Sequence, residues 1–250
     1  MQIFFHSKNL FALLQRYYYS QPIKYVVDPN DYKTLVYIIN DLRLKYCKYA
    51  NIEYDDQCDS ALFLNWLLDL LKDEDVGLEW LSYIACKKCK KISKKHYKEY
   101  LWIVYPQESS GLMDPGTFDQ ILRKQNNQTV EFKCEGCGLY CEHLQKFFVI
   151  NEPKNIFFNF QLSSGSSIPE LEESINLGVK KNPAEYRLKG VVLHRRDSEE
   201  SGHYTILLKD LDEEWYHYND ATIRKINIDE PFGSFLKTRS RPLVWYERVD

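Results

Sequence analysis

"YRLKGVVLHRRDSEESGHYTILL", residues 186–208, carries two runs of strand-forming residues on either side of a charged segment. Because Val, Ile, Leu and Tyr are concentrated in these two runs, the pattern predicts a pair of neighbouring antiparallel strands. His203 follows Gly202 at the start of the second run. A histidine in this position can accept a proton if a neighbouring polar group holds its ring.

The segment "WYHYND", residues 215–220, offers such a polar group. It is predicted to form the next antiparallel strand, which would bring Asn219 or Asp220 beside the imidazole of His203. An amide or a carboxylate bonded to one ring nitrogen leaves the other nitrogen free to take a proton. Taken alone, this pattern does not distinguish a catalytic base from an ordinary polar residue at the start of a strand.

Further strand-like runs extend from about residue 80 to the C-terminus and are rich in aromatic and β-branched residues. Polar turns separate them, which predicts an antiparallel sheet in the C-terminal half. The segment 163–183 is predicted to be a loop, with a short helix as an alternative. The chain as a whole is therefore predicted to form one α+β domain with a projecting substructure.

The N-terminal part has apolar residues at helical spacing. Two helices, broken near Pro22 and Pro29, are predicted in roughly the first forty residues. The clearest helix lies in "DDQCDSALFLNWLLDLLKDE", residues 55–74, with Asp59 or Ser60 as its N-cap. Its predicted buried face is wide and contains Leu62, Phe63, Leu64, Trp66, Leu67, Leu68, Leu70 and Leu71.

Composition excludes several classes of protein. The net charge is −3 and the charges are interleaved, which argues against a nucleic-acid binder. No apolar run approaches the roughly 18 residues of a membrane span, and the N-terminus lacks the features of a secretory signal. Seven cysteines without such a signal favour metal binding over disulfides. A cytoplasmic or nuclear monomer is expected.

Four of the seven cysteines form two C-x-x-C pairs, Cys86 with Cys89 and Cys134 with Cys137. A tight turn can place both sulfurs of such a pair about 2.3 Å from zinc, and two turns complete a tetrahedron. The predicted zinc is structural, because four thiolates leave no open position for water. Four reduced cysteines without metal are the alternative. Cys141, four residues further on, is predicted to be a buried thiol, with a decoy ligand as the alternative.

Taken in order, these segments resemble the ubiquitin-specific protease family. The two C-x-x-C pairs fall where the family binds zinc at the tip of its fingers, and "LQKFFVINEPKNIFFNFQL" is similar to the strand pair that follows. Residues 186–208 resemble the histidine box, commonly Y-x-L-x-A-V-x-x-H-x-G and then G-H-Y, and "WYHYNDATIRKI" and "LVWYERV" resemble the closing strands. "QCDSALFLNWLLDLL" is similar to the box Q-Q-D-A-x-E-F-L-x-x-L-L-D, which is matched by Gln57, Asp59, Phe63, Leu64, Leu67, Leu68 and Asp69.

The resemblance covers roughly residues 46–250 and implies a papain-like thumb and palm with zinc-bearing fingers that grip ubiquitin or a ubiquitinated protein. It implies a truncated helical thumb at 1–79, fingers at 80–150 and a palm at 151–250. His203 would be the catalytic histidine, Asn219 the third member of the triad, and Asp220 a supporting neighbour. Asp59 would lie near the bound ubiquitin tail, where a carboxylate can pair with an arginine.

Two features depart from the family's pattern. After the first histidine of the box, His194, the chain has Arg195 and Arg196 where the family has a glycine. The cysteine box, approximately G-L-x-N-x-G-N-T-C-Y-x-N-S, is absent, although "SKNLFALLQRYYY" resembles the helix that follows it. Upstream of the helical box the chain has only Cys47, and its neighbours do not match. The nucleophile and an oxyanion-hole asparagine are therefore missing from these residues.

Three hypotheses follow for the function. The first is a ubiquitin-binding domain of this family that is catalytically impaired because it lacks the nucleophile. The second is an active cysteine-type deubiquitinase whose cysteine box is missing from the gene model. The third is a zinc-stabilised interaction domain without affinity for ubiquitin.

Overall fold

The computed structural model describes Ala12, Leu14 and Tyr17, and then most of the chain from residue 32 onward. Its described ranges are 32–54, 56, 58–71, 76–105, 117–161, 171–177, 183–196, 202–210, 213–220, 222–226 and 243–249. The predicted break near Pro22 and Pro29, and Gln57 of the helical box, lie outside these residues. Ala12, Leu14 and Tyr17 are helical, and helix α1 runs from Tyr32 to Ala50.

Helix α2, Ser60–Leu71, begins with a well-formed cap. Oδ1 of Asp59 accepts a hydrogen bond of 2.7 Å from the Ala61 N–H, and the Asp59 carbonyl accepts one of 3.1 Å from Phe63. Asp59, rather than Ser60, is therefore the N-cap. The fully buried face is narrower than predicted, since Leu62 is 63% exposed; that face contains Ala61, Leu64, Leu67 and Leu68.

A four-stranded antiparallel sheet, which we call the finger sheet, follows the two helices. Its order is β2-β1-β5-β4. The strands are β1 (Leu78–Cys86), β2 (Ile92–Glu99), β4 (Asn127–Lys133) and β5 (Tyr140–Val149). β1 pairs with both β2 and β5, so that Cys86 at its end lies opposite His143.

Helix α3, Phe118–Gln125, precedes β4 in a region whose sequence is mostly polar. It begins with a capping box, in which the side chains of Thr117 and Gln120 each accept a hydrogen bond from the backbone N–H of the other residue. Helix α3 buries Phe118, Ile121 and Leu122. Tertiary packing of this one face stabilises a helix that hydropathy alone does not reveal.

The second sheet, which we call the palm sheet, has the order β11-β10-β9-β8-β12-β6-β3, and β7 pairs with β8. It is antiparallel except between β3 and β6, which are parallel. Strand β7 lies within the segment predicted to be a loop. The strands are β3 (Leu101–Val104), β6 (Asn155–Phe160), β7 (Ser174–Leu177), β8 (Ala184–Arg196), β9 (Gly202–Lys209), β10 (Trp215–Asn219), β11 (Thr222–Ile226) and β12 (Leu243–Arg248).

The centre of the palm sheet is buried on both faces, because successive residues of a strand point to opposite sides. In β6, Ile156, Phe158 and Phe160 join the core that also contains helix α3. Phe157 joins the core formed with α1 and α2, as does Trp245 of β12. The two cores hold β8 and β9 in place, and β9 carries His203.

Within the described part of the chain, no helix has the length and apolar character needed to cross a membrane.

Candidate catalytic pair and metal centre

His203 and Asn219 are in contact at one end of the palm sheet. β9 and β10 are antiparallel, so the start of β9 lies beside the end of β10. Nε2 of His203 lies 2.6 Å from Oδ1 of Asn219. An amide oxygen can only accept a hydrogen bond, so this contact requires a proton on Nε2, and in the neutral ring Nδ1 is then the acceptor. The ring is therefore oriented with Nδ1 able to accept a proton.

Asp220 lies beside the same pair. Its Oδ2 is 3.7 Å from Nε2 of His203, and its side chain is 80% exposed. The residue adopts a left-handed backbone conformation, with φ of +48°, which follows directly on the end of β10. Asp220 can therefore stabilise a protonated His203, while Asn219 makes the shorter contact.

The sequence did not single out His217, which lies on the same face of β10 as Asn219. Burial lowers the pKa of His217, and the nearby side chains of Arg224 and His203 lower it further. The ring is thus neutral at neutral pH and adds no positive charge near His203. A histidine in the middle of a strand-like run carries no signal that would distinguish it in a single sequence.

Asp59, at the start of α2, lies close to the residue that follows His203. Burial raises the pKa of the Tyr204 phenol, and the Asp59 carboxylate raises it further. Tyr204 also stacks on His194, with a centroid distance of 4.2 Å. The structure thus brings the helical box and the histidine box together, although residues of the two boxes are more than 100 positions apart in sequence.

Two cysteines, Cys47 and Cys58, lie in the helical part of the chain. The thiol of Cys47 lies 3.6 Å from the carbonyl oxygen of Glu53. Burial raises the pKa of the half-buried Cys58, which favours the thiol over the nucleophilic thiolate. The hydrogen bond of His203 goes to Asn219, and within the described residues none joins His203 to either cysteine.

The two C-x-x-C pairs form matching turns at the tip of the finger sheet. The Cys86 carbonyl accepts a hydrogen bond of 3.0 Å from Lys90, and the Cys134 carbonyl accepts one of 2.8 Å from Gly138. Lys90 and Gly138 both have left-handed φ angles, +63° and +70°. This conformation suits a glycine, and in both turns it occurs at the residue directly after the second cysteine of the pair.

The four sulfurs of these turns converge. All lie within 4.8 Å of one another, and those of Cys89 and Cys134 are 3.7 Å apart. Thiolates about 2.3 Å from a tetrahedral zinc ion are separated from one another by about 3.8 Å. The set of donors and their spacing fit zinc, and the four cysteines could hold a metal ion.

Backbone amides at the turns favour the thiolate form that binds metal. The pKa of Cys134 is lowered to about 5, chiefly by a hydrogen bond from the Cys137 backbone. The pKa of Cys86 is lowered to about 7, chiefly by the Cys89 N–H, which lies 3.4 Å from its sulfur. Cys86 and Cys134, the two buried cysteines of the set, thus lose their protons more readily than ordinary thiols.

Cys141 and His143 lie next to this cluster. The Cys141 sulfur is 3.5 Å from that of Cys86, and Cys86, Cys141 and His143 form a second group of close donor atoms. Burial raises the pKa of Cys141 to about 12, and the neighbouring Cys86 also raises it. The sequence favoured a buried thiol for Cys141, with a decoy ligand as the alternative. It did not indicate His143, because the register of β5 against β1 cannot be read from the sequence.

Comparison with known proteins identifies the family. The sequence pattern of the ubiquitin carboxyl-terminal hydrolase family matches residues 8–240. The chain belongs to this family. The resemblance inferred from the sequence motifs is thereby confirmed.

Two curated members of the ubiquitin carboxyl-terminal hydrolase family are similar in sequence. The chain is 29% identical over 161 residues to the probable ubiquitin carboxyl-terminal hydrolase 16 of Schizosaccharomyces pombe, covering 58% of this chain and 34% of that protein. It is 24% identical over 130 residues to ubiquitin carboxyl-terminal hydrolase 25 of Arabidopsis thaliana, and this match covers 45% of this chain and 20% of that protein. The matched part thus spans about a third of one relative and a fifth of the other.

Solved structures confirm the predicted α+β fold of this hydrolase family. The SAGA Ubp8/Sgf11/Sus1/Sgf73 DUB module bound to ubiquitin aldehyde matches with a TM-score of 0.72 and 13% identity, covering all of this chain and 66% of that one. A SAGA DUB module bound to monoubiquitin matches with a TM-score of 0.64 and 16% identity, and this match covers 87% of this chain and 54% of that one. At these identities the likeness concerns the fold.

Proposed function

We propose that these 250 residues form a ubiquitin-binding domain that does not itself hydrolyse the ubiquitin C-terminal bond. The observation that carries this proposal is the pairing of His203 with Asn219, with no cysteine hydrogen-bonded to His203 among the described residues. His203 and Asn219, which we assign to the catalytic histidine and the third triad position, are in contact at 2.6 Å. The hydrogen bonds of the described residues bring no cysteine to the histidine.

The chemistry explains why such a pair is not sufficient. Acyl transfer by a cysteine hydrolase requires a thiolate nucleophile, a base and donors for the oxyanion. Nδ1 of His203 can act as the base, but a base accelerates the reaction only if a nucleophile donates its proton. Cys86, Cys89, Cys134, Cys137 and Cys141 are grouped at the tip of the finger sheet, which leaves Cys47 and the deactivated Cys58.

The fold that this chain shares with its family supports the proposed binding of ubiquitin. The chain matches the whole of its length to a DUB module solved with ubiquitin aldehyde, so its sheets and helices follow the arrangement of a ubiquitin-bound protein. Asp59, at the start of α2, places a carboxylate close to Tyr204 of the histidine box. A carboxylate there can pair with an arginine of the ubiquitin tail.

The four-cysteine cluster would hold a structural zinc ion in this domain. Cys86 and Cys89 from one turn, and Cys134 and Cys137 from the other, would be its ligands. When bound, zinc would cross-link the two turns and supply no reactive position, because all four sites are occupied by thiolates. Such a site requires reduced cysteines, which the cytoplasm and the nucleus maintain.

The test combines an activity assay with a binding assay on the purified protein. A fluorogenic ubiquitin substrate should show no turnover, and ubiquitin with an electrophilic C-terminus should label no cysteine. Titration of unmodified ubiquitin should shift backbone amide resonances at the start of α2 and of β9. Turnover or labelling would refute the loss of catalysis, and an absence of shifts at high micromolar ubiquitin would indicate an interaction domain without ubiquitin affinity.

Two substitutions at Asp59 separate its charge from its role as a helix cap. Asp59→Asn keeps an N-cap oxygen, so stability should be nearly unchanged, whereas the lost charge should weaken ubiquitin binding about tenfold or more. Asp59→Ala should weaken binding equally and also lower the free energy of unfolding by about 1 kcal/mol. Calorimetric titration and thermal unfolding measure the two effects. Equal affinity of Asp59→Asn and the unmodified protein would remove Asp59 from the binding site.

A second candidate is an active hydrolase, and the coverage of the relatives favours it. The matched region accounts for only 34% of one relative and 20% of the other, so a nucleophile could be encoded outside these residues. An in-frame cysteine box in the transcript upstream of Met1 would support this candidate. A longer protein containing it should then cleave the fluorogenic substrate, and the same protein with His203→Ala should not.

A further inference from the structure

Six side chains of the types that bind zinc, rather than four, meet at the tip of the finger sheet. Besides the four cysteines of the two turns, Cys141 and His143 lie close to Cys86. Zinc in protein sites almost always takes four ligands. One ion therefore cannot use all six donors, and two donors remain beside a site that is already complete.

The position of these two donors follows from the strand register. Cys141 and His143 are two residues apart on β5, so their side chains share one face of the sheet. His143 lies directly opposite Cys86 of β1. The donor atoms of Cys86, Cys141 and His143 all lie within 4.8 Å of one another, and the two sulfurs are 3.5 Å apart.

His143 is buried without an ordinary partner. The residue is only 2% exposed. Neither nitrogen of its ring has a hydrogen-bond partner within the described structure. Its ring stacks on Phe132, with a centroid distance of 3.7 Å and an interplanar angle of 12°. A buried polar group without a partner is costly and rare, and a bound cation would satisfy one of the two nitrogens.

We propose that Cys86, Cys141 and His143 bind a second zinc ion, with the sulfur of Cys86 bridging it to the ion of the four-cysteine site. Two thiolates and one imidazole are ligand types that zinc accepts. The second dication would also offset the excess negative charge that four thiolates leave around one ion. With three protein ligands, the second ion keeps one position open, unlike the first. The proposal rests on the four-cysteine zinc site proposed above.

Metal stoichiometry tests the proposal. Native mass spectrometry and elemental analysis of the zinc-loaded protein should find two ions per chain. The double variant Cys141→Ser, His143→Phe should retain one, since phenylalanine preserves the ring that stacks on Phe132. Cys47→Ser, which changes a thiol in the helical part of the chain, should retain two. One ion in the unmodified protein, or two in the double variant, would overturn the proposal.

A spectroscopic measurement on the unmodified protein covers the case in which the double variant fails to fold. After exchange of zinc for ¹¹³Cd, the protein should show two cadmium resonances, coupled to each other through the shared sulfur of Cys86. A single resonance would overturn the second site but leave the four-cysteine site intact. No bound metal at all would refute both sites, so the two failures can be distinguished.

Discussion

Replacing Cys134 with serine is expected to abolish metal binding by the four-cysteine site and to unfold the tip of the finger sheet. Cys134 is 4% exposed, and its sulfur is 3.7 Å from that of Cys89 on the other turn. The metal would cross-link the two turns in addition to the pairing of β1 with β5, and β2, the strand that follows the first turn, is mostly exposed and adds little buried surface there. Structural zinc contributes on the order of 10 kcal/mol to the folding of small domains. The free energy lost with the metal should therefore exceed the free energy that otherwise keeps the tip of the finger sheet folded.

Hydrogen exchange and zinc content measure this effect together. In Cys134→Ser, the amides of residues 86–91 and 134–139 should lose their protection, whereas β6 and β12 of the palm sheet should keep theirs. Cys47→Ser is the matched control, since within the described residues the Cys47 thiol makes its hydrogen bond to the Glu53 carbonyl, far from the cysteine turns in sequence. Unchanged protection and zinc content in Cys134→Ser would rule out a structural metal held by these four cysteines.

Replacing Trp245 with alanine should destabilise the palm by about 3–5 kcal/mol, the usual cost of removing a large buried aromatic side chain. Trp245 lies in β12 and is 2% exposed. Its indole Nε1–H donates a hydrogen bond of 2.9 Å to Oδ1 of the buried Asn155, and its ring stacks near Phe157. The substitution therefore leaves a cavity and an unpaired amide oxygen in the core that also contains α1 and α2.

Chemical denaturation gives the loss in free energy, and thermal unfolding should show a decrease of roughly 10 °C for a protein of this size. Trp245→Phe, which keeps a ring but removes the donor, should cost about 1–3 kcal/mol. Tyr140→Ala, at a position 72% exposed, should change stability by less than about 0.5 kcal/mol. Because β12 pairs with β8 and β8 with β9, we expect Trp245→Ala also to increase the mobility of His203 on β9. A loss below 1 kcal/mol would contradict this account of the core.

Local patterns predicted the elements whose signals are contained in a few neighbouring residues. The helix after Asp59 was predicted because its apolar spacing and its cap both lie within twelve or so positions. The α3–β4 region was not predicted, since α3 buries only Phe118, Ile121 and Leu122 and β4 is mostly exposed. Their stability comes from partners that are distant in sequence.

The candidate catalytic pair was predictable for a similar reason. His203 and Asn219 lie on consecutive antiparallel strands, so their proximity follows from a short-range hairpin pattern. Their catalytic roles stay predictions, as does the division into thumb, fingers and palm at residues 79 and 150.

The sequence by itself determined the family, the helix that begins after Asp59, and the two cysteine turns, because each depends on residues close together in the chain. Tertiary structure alone decided which side chains surround Cys86. The pairing of β1 with β5 places His143 opposite Cys86 and Cys141 at 3.5 Å from its sulfur, across more than 50 intervening residues. Strand register is a property of the whole sheet, and that is why six donors, rather than the expected four, meet at one end of it.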